Sequence, residues 1–269
     1  MQLENLGNIK IKYKIKSDYV VFDIDGDKYK VSVDFFNSLN IDENIIASDY
    51  LIEQIKSEAM VQKIVNYCRK LAVKKPYSES QLIKKINKKF DNPKELKRAF
   101  SALRNSNIFD DENYIQNYKE YFDNNLYGKY YIINYFRNQN VKQRVIDSLE
   151  FDEQFEMEKA KKFFEQLKNK YIRNNYAKQK KKIYDLMLFR GYSVEIILDV
   201  LNSLEIDETK EKKKLINSYL KIKNKLNRSS KYGVVDINSK IVNKLIAQGY
   251  NYSLISEVIA MDKRGELDD

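Results

Sequence analysis

One spacing pattern recurs along this chain and restricts its fold more than any other feature. Ile132, Phe136, Val141, Val145, Ile146 and Leu149 define it. Ile183, Met187, Gly191-Tyr192, Ile196, Ile197, Val200 and Leu201 repeat it, and Ile241, Leu245, Gly249-Tyr250, Leu254, Ile255, Val258 and Ile259 repeat it again. The apolar positions fall three and four residues apart on either side of a short turn, which reads as a helix pair. Each pair follows a longer amphipathic stretch: Glu112 to Asp123, Glu153 to Ile172, and Glu208 to Leu226. An earlier, less regular copy runs from Glu58 to Asn105. One three-helix repeat every ~40 to 55 residues predicts a helical array, in which repeats bury their apolar faces against their neighbours. Gly191 and Gly249 fall where a helix ends on a left-handed residue, and Asn140 takes that place in the second repeat.

The start of the chain has a different period. Ile9, Ile11, Tyr13 and Ile15 alternate with Asn8, Lys10, Lys12, Lys14 and Lys16, the mark of a half-buried strand. Tyr19 to Ile24 and Lys28 to Val33 are two further strands, joined by Asp25-Gly26, a tight hairpin turn. A short helix from Asp34 would bury Phe35, Phe36 and Leu39. A β-rich unit of about 45 residues is too small to stand alone and is expected to pack on the helical remainder of the chain. From Ala47 the chain reads as helix. Ile52, Ile55, Ala59, Val61, Ile64, Val65, Cys68, Leu71 and Ala72 form the stripe of one long helix, which Pro76 ends. Ser78 with Gln81 is a capping box, and Asn92-Pro93 with Glu95 starts another helix. Asp110-Asp111 opens a fourth. The expected fold is mainly α: tandem three-helix repeats forming an elongated curved array, with a small N-terminal β-rich unit. Its segments are residues 1–46, 47–107, 108–150, 151–206 and 207–269.

Composition narrows the chemistry. Among 269 residues there is no histidine, one cysteine, and only two prolines and seven glycines. Without histidine there is no Ser-His-Asp or Cys-His apparatus. One cysteine makes neither an internal disulfide nor a Cys-rich zinc site, so Cys68 reads as a reduced thiol. The scarcity of glycine and proline argues against a phosphate loop and a turn-rich β fold. No apolar run approaches the roughly 20 residues that span a bilayer, and the start does not resemble a signal peptide. A soluble, cytoplasmic protein without cofactor or metal is expected. The net charge of +10 favours an acidic partner, nucleic acid first, although Lys-, Asn- and Ile-rich composition also reflects AT-rich codon usage.

Several motifs resemble a known family. Leu71-Ala72-Val73-Lys74-Lys75-Pro76-Tyr77-Ser78-Glu79-Ser80-Gln81-Leu82 resembles the opening signature of the RecX regulators: a helix end, a basic-Pro-x-Ser-Glu turn, then a new helix. Leu103-Arg104-Asn105 through Phe109-Asp110-Asp111 to Tyr114 is similar to the family's leucine…Asp-Asp…aromatic connection. Tyr127-Gly128 with Ile132, Phe136 and Asn140-Val141 is similar to its Gly…Ile…Leu…Lys-Gly-Val stretch. The family carries arginines where this chain has Tyr121-Phe122-Asp123-Asn124. The likeness covers about residues 58–205 and points to the longer members found in low-GC Gram-positive bacteria. It implies a non-enzymatic regulator of the RecA recombinase, monomeric and away from membranes, that binds the RecA filament on single-stranded DNA. Such a protein would depress ATP hydrolysis, strand exchange and filament growth in DNA repair, homologous recombination and the SOS response. The alternative is a sequence-tolerant nucleic-acid-binding repeat protein without a recombinase partner.

The residues open two ways at several places. Lys84, Lys85, Lys88 and Lys89 fall on adjacent turns and read as a solvated face or as a filament or phosphate contact. Lys178, Lys180, Lys181 and Lys182 begin a helix, where positive charge opposes the dipole and so hints at an acidic partner. Lys129 and Arg137 occupy the matching helix of the second repeat. With Lys75, Arg104 and Arg144 these form the candidate set for partner or DNA contact. Asp110-Asp111 reads as helix capping rather than a metal pair, because no third ligand stands at metal spacing. Phe155, Phe163, Phe164 and Tyr171 read as core. Tyr130 and Tyr131, beside Lys129, remain open between core and base stacking. Asp23, Asp25 and Asp27 lack the glutamate of a calcium loop and read as a hairpin turn.

Overall fold

The structure is a computed structural model that describes residues 9–41, 46–228 and 234–267. Asn8, the first position of the predicted strand alternation, lies outside the described residues. The chain divides into two compact bodies, residues 1–118 with 136–148, and residues 119–135 with 149–269.

The first body begins with β1 (Ile9–Lys10), β2 (Lys12–Ile15), β3 (Val20–Ile24) and β4 (Asp27–Val31). β2, β3 and β4 form an antiparallel meander with Tyr13 opposite Phe22 and Phe22 opposite Tyr29. The single first strand expected from the sequence is broken at Ile11. Its first part pairs instead with β5 (Ile46–Ala47), because two different partners claim the two halves. Asp25 (φ 54°) and Gly26 (φ 88°) both adopt positive φ, the requirement of the tight hairpin turn. β3 buries Val20, Phe22 and Ile24 on one face. They pack with Val31 against Ile52 and Ile55 of the long helix, so the small sheet obtains its core from the helical part. Helix α1 (Val33–Ser38) starts at Ser32, whose hydroxyl accepts from the Phe35 amide, and Phe35, Phe36 and Leu39 lean on the same core, partly buried.

Beyond α1, twelve more helices lie among the described residues, three to a repeat. The first repeat is α2 (Asp49–Ala72), α3 (Glu79–Asn87) and α4 (Pro93–Asn105). Val61, Ile64, Val65 and Cys68 meet Leu82, Ile86, Ala99 and Leu103 in its core. The Ser78–Gln81 capping box is fully formed. Glu95 lies in the first turn of α4 as expected, and its carboxylate accepts from the Ser57 hydroxyl at 2.6 Å. The second repeat is α5 (Asp111–Asn124), α6 (Lys129–Asn138) and α7 (Gln143–Asp147). The third is α8 (Glu153–Lys170), α9 (Tyr176–Phe189) and α10 (Val194–Asn202), around Phe164, Ile183, Met187 and Ile197. The fourth is α11 (Glu208–Arg228), α12 (Val234–Ala247) and α13 (Tyr252–Lys263), around Leu215, Ile241, Leu245 and Ile255. The fold class is thus mainly α, with tandem three-helix repeats behind a small β unit.

The same junction recurs between middle helices of successive repeats. The start of each meets the end of the next, so that donors left over at one terminus find carbonyls left over at the other. The Gly128 amide donates to Arg190 O at 2.9 Å and the Tyr130 amide to Gly191 O at 3.0 Å. Asn175 Nδ2 donates to Gln248 O at 2.8 Å, and Ser78 Oγ to Gln139 O at 3.3 Å. The residue ending each receiving helix is left-handed as expected: Asn140 (φ 54°), Gly191 and Gly249 (φ 91° each). The glycines have a second role that the local pattern does not show. A Cβ on Gly191 would overlap the Tyr131 backbone, and one on Gly249 would lie 2.6 Å from Ala177 Cβ.

Candidate functional site

A carboxylate from the next repeat sits at the first amide of three middle helices. Asp111 Oδ1 accepts from the Glu79 amide at 2.8 Å, Glu156 Oε2 from Lys129 at 3.0 Å, and Glu211 Oε2 from Tyr176 at 3.0 Å. Negative charge there satisfies an orphan donor and the positive end of the helix dipole. Asp110 caps its own helix through the Asn113 amide at 2.8 Å, while Asp111 caps a different one. Among the described residues no group of three or more acidic, Cys or His residues is arranged to hold a metal ion.

These clamps change the meaning of the basic helix starts. Lys178, Lys180, Lys181 and Lys182 stand in the opening turns of α9, where the dipole disfavours them. Glu211 and the Asn175 side chain, which accepts from the Lys178 amide at 2.9 Å, already offset that dipole. The inference of an external acidic partner from the dipole alone therefore has an internal answer. Lys84 and Lys85 lie in the last turn of α3, Lys88 is its C-cap and Lys89 comes next. These two clusters occupy opposite ends of equivalent helices, so repetition alone does not line them up.

Most candidate cations are exposed, and several rest over aromatic rings. Lys75 and Lys85 place their ammonium groups 4.8 and 5.3 Å from the Tyr77 ring. Lys89 lies 4.2 Å over Tyr67, Lys129 5.6 Å from Phe151, Lys180 5.9 Å from Tyr176 and Lys182 4.9 Å from Tyr171. Their alkyl stems cover apolar surface while the charges stay in water. Arg137, Arg144 and Lys178 are also exposed. Arg104 is partly committed, since its guanidinium lies 2.7 Å from Glu79, which Lys142 also contacts at 2.5 Å. Burial pushes the Glu79 carboxyl up, but the hydrogen bonds and charges of Lys142 and Arg104 outweigh it, and the net shift is downward.

Two cations that the sequence pattern does not single out are structural. Lys159 is buried, with its ammonium 2.5 Å from Asp123 and 2.9 Å from Tyr127 O, and in contact with Glu156. Arg190 stacks 3.6 Å over Tyr127 and donates to the Asn125 and Leu126 carbonyls. The open tyrosine pair divides into one packed and one exposed ring. Tyr131 packs on Tyr127 and Phe122 with centroids 4.3 and 5.6 Å apart, whereas Tyr130 is exposed. Phe164 is core, and Phe163 and Tyr171 pack against it. Phe155, expected in the core, is 44% exposed, with the Lys159 ammonium 5.2 Å from its ring. A short apolar run is also exposed: Leu188, Phe189 (78%), Val194 and Leu198 at the end of α9 and along α10.

Fold and surface together define a mainly α, tandem three-helix protein that presents cations and a few large apolar side chains. Among the described residues no helix is long and apolar enough to cross a membrane. No protein-family model matches the chain. It is similar to regulatory protein RecX of Streptococcus agalactiae serotype Ia, 24% identical, covering 81% of this chain and 85% of the relative. The serotype III protein of the same name is 23% identical over the same shares. In fold it is similar to a crystal structure of regulatory protein RecX, with a TM-score of 0.62 and 18% identity over 72% of this chain and all of the other. In sequence and in fold the chain is thus similar to regulatory proteins named RecX.

Proposed function

We propose that this protein regulates the RecA recombinase by docking on its filament on single-stranded DNA, lowering ATP hydrolysis and strand exchange and limiting filament growth. It acts in the cytoplasm as a monomer and is not an enzyme. The observation that carries the reading is the likeness to RecX regulatory proteins over four-fifths of the chain. The exposed Phe189 and its apolar neighbours favour a protein surface as partner, since such side chains gain nothing from a phosphate backbone. The exposed members of the candidate set, with Lys129, Arg137, Arg144, Lys178 and Lys181 foremost, supply the electrostatic part. Each repeat makes a weak contact, and tethering makes later contacts nearly intramolecular.

The test is the DNA-dependent ATPase of RecA from the same organism, titrated with this protein at two salt concentrations. Inhibition well below one protein per RecA protomer that survives moderate salt is expected. Inhibition only at amounts that coat the DNA, and only at low salt, would sink filament docking and leave a general nucleic-acid binder.

A further inference from the structure

A cleft of about 630 Å³ opens in the first body between β4, the middle of α2 and the chain just past α3. Six lysines line it and no carboxylate does: Lys28 and Lys30 from β4, Lys56, Lys63 and Lys70 from α2, and Lys89. Only Lys89 belongs to the candidates named from sequence. The three on α2 recur every seven residues, close to two helical turns, so they form one row about 21 Å long at 1.5 Å per residue. Met60 and Tyr67 lie four residues after Lys56 and Lys63 on the same face, and with Tyr29 and Phe90 they make the cleft partly aromatic. Lys89 lies 4.2 Å over the Tyr67 ring and Lys56 lies 5.6 Å from Tyr29.

Elsewhere in this body, buried acids answer cations, as Glu58 does Arg98 and Glu79 does Arg104 and Lys142. Here no carboxylate among the lining residues answers the α2 row or Lys89, while Lys28 and Lys30 stand on the face of β4 opposite Tyr29, with the Lys30 ammonium 3.2 Å over the Tyr19 ring. A row of cations beside aromatic rings matches a strand that offers a phosphate at every step and a planar base beside it. A duplex keeps its bases stacked on each other and out of reach of Tyr67. An acidic peptide offers charge but no ring to stack.

We propose that this cleft binds single-stranded DNA directly, with the lysine row on successive phosphates and a base stacked on Tyr67 once Lys89 moves from the ring to a phosphate. The contact is distinct from filament docking and needs no recombinase. The experiment is fluorescence anisotropy of a labelled oligothymidylate of about 20 nucleotides with the full chain across a salt series. Lys56→Gln/Lys63→Gln/Lys70→Gln is expected to weaken binding at least about tenfold and to lower the salt slope by about 2, at roughly 0.7 per lost phosphate contact. Lys221→Gln/Lys225→Gln/Lys244→Gln removes equal charge from exposed positions in the second body and is expected to change affinity less than about twofold. Tyr67→Leu should weaken thymidylate binding about tenfold but leave unchanged the binding of an abasic strand with the same number of phosphates. Equal losses from the two lysine triples would overturn the proposal. So would a Tyr67→Leu loss that ignores the bases, or displacement of the strand by polyglutamate at matched charge. Because the readout contains no recombinase, a failed ATPase assay leaves the cleft standing, and a failed anisotropy series leaves filament docking standing.

Discussion

Glu79 carries two duties that a sequence pattern shows only in part. Its amide is the first of α3 and donates to Asp111, while its carboxylate holds Arg104 and Lys142. Its folded pKa lies below the ordinary value of 4.5 despite burial. The ionised form therefore adds stability that is complete above that value and is lost as pH falls through the lower folded value. Glu79→Gln should cost about 1–2 kcal/mol at neutral pH, toward the low end because Arg104 and Lys142 stay half in water. It should also flatten the acid loss of stability. Thermal melts from about pH 7 to about pH 3 read both, and an unchanged acid loss in the variant would assign it to other carboxylates. Cys68 makes the opposite case. Burial pushes its thiol up to about 11, so the thiolate is scarce at any ordinary pH. A thiol-specific disulfide reagent should titrate no cysteine in the native chain and one per chain in denaturant. Fast native reaction would contradict the packing around Val65 and Leu82.

Among the elements, what was legible is what is local. The Ser78–Gln81 box, the proline start of α4, the hairpin turn and the left-handed helix ends at Asn140, Gly191 and Gly249 use chemistry within a few residues, and all formed as expected. The carboxylate clamps were hidden because Glu156 and Glu211 bond backbone amides 27 and 35 residues away, and an amide has no residue code. The α2 lysine row was visible as a heptad but lay behind a stronger apolar stripe, and only tertiary structure brings β4 to its edge. The junctions give a ranking that local capping alone does not. Gly191→Ala combines a strained φ with overlap on the Tyr131 backbone and should cost about 3 kcal/mol or more. Gly249→Ala meets only the Ala177 methyl and should cost about 2 kcal/mol. Asn140→Gly keeps the left-handed φ and should stay within about 1 kcal/mol of the parent. Urea unfolding measures the series. Equal costs for the two alanines would reduce both glycines to caps.

For the whole chain, tandem construction ties folding to reach along a partner. The fourth repeat holds the start of α9 through three groups: Glu211 on the Tyr176 amide, Lys214 on Asn174 O, and Gln248 O on the Asn175 side chain. Deleting residues 207–269 therefore removes the proposed contact surface of the fourth repeat and also strips the cap from the third repeat, whose helix start then lacks its carboxylate. The truncated chain should lose stability in the second body while the first melts as before, since none of these bonds belongs to it. A weaker truncated protein would not by itself prove multivalent docking. Glu211→Gln separates the two causes, because it loosens the same junction and keeps every outward-facing side chain of the fourth repeat. If docking is multivalent, Glu211→Gln should inhibit the RecA ATPase like the parent at temperatures where it is folded, and the truncated chain should need about 10-fold or more protein for the same inhibition. Full potency in the truncated chain would remove the fourth repeat from the contact and leave it as the terminal cap that a helical array requires.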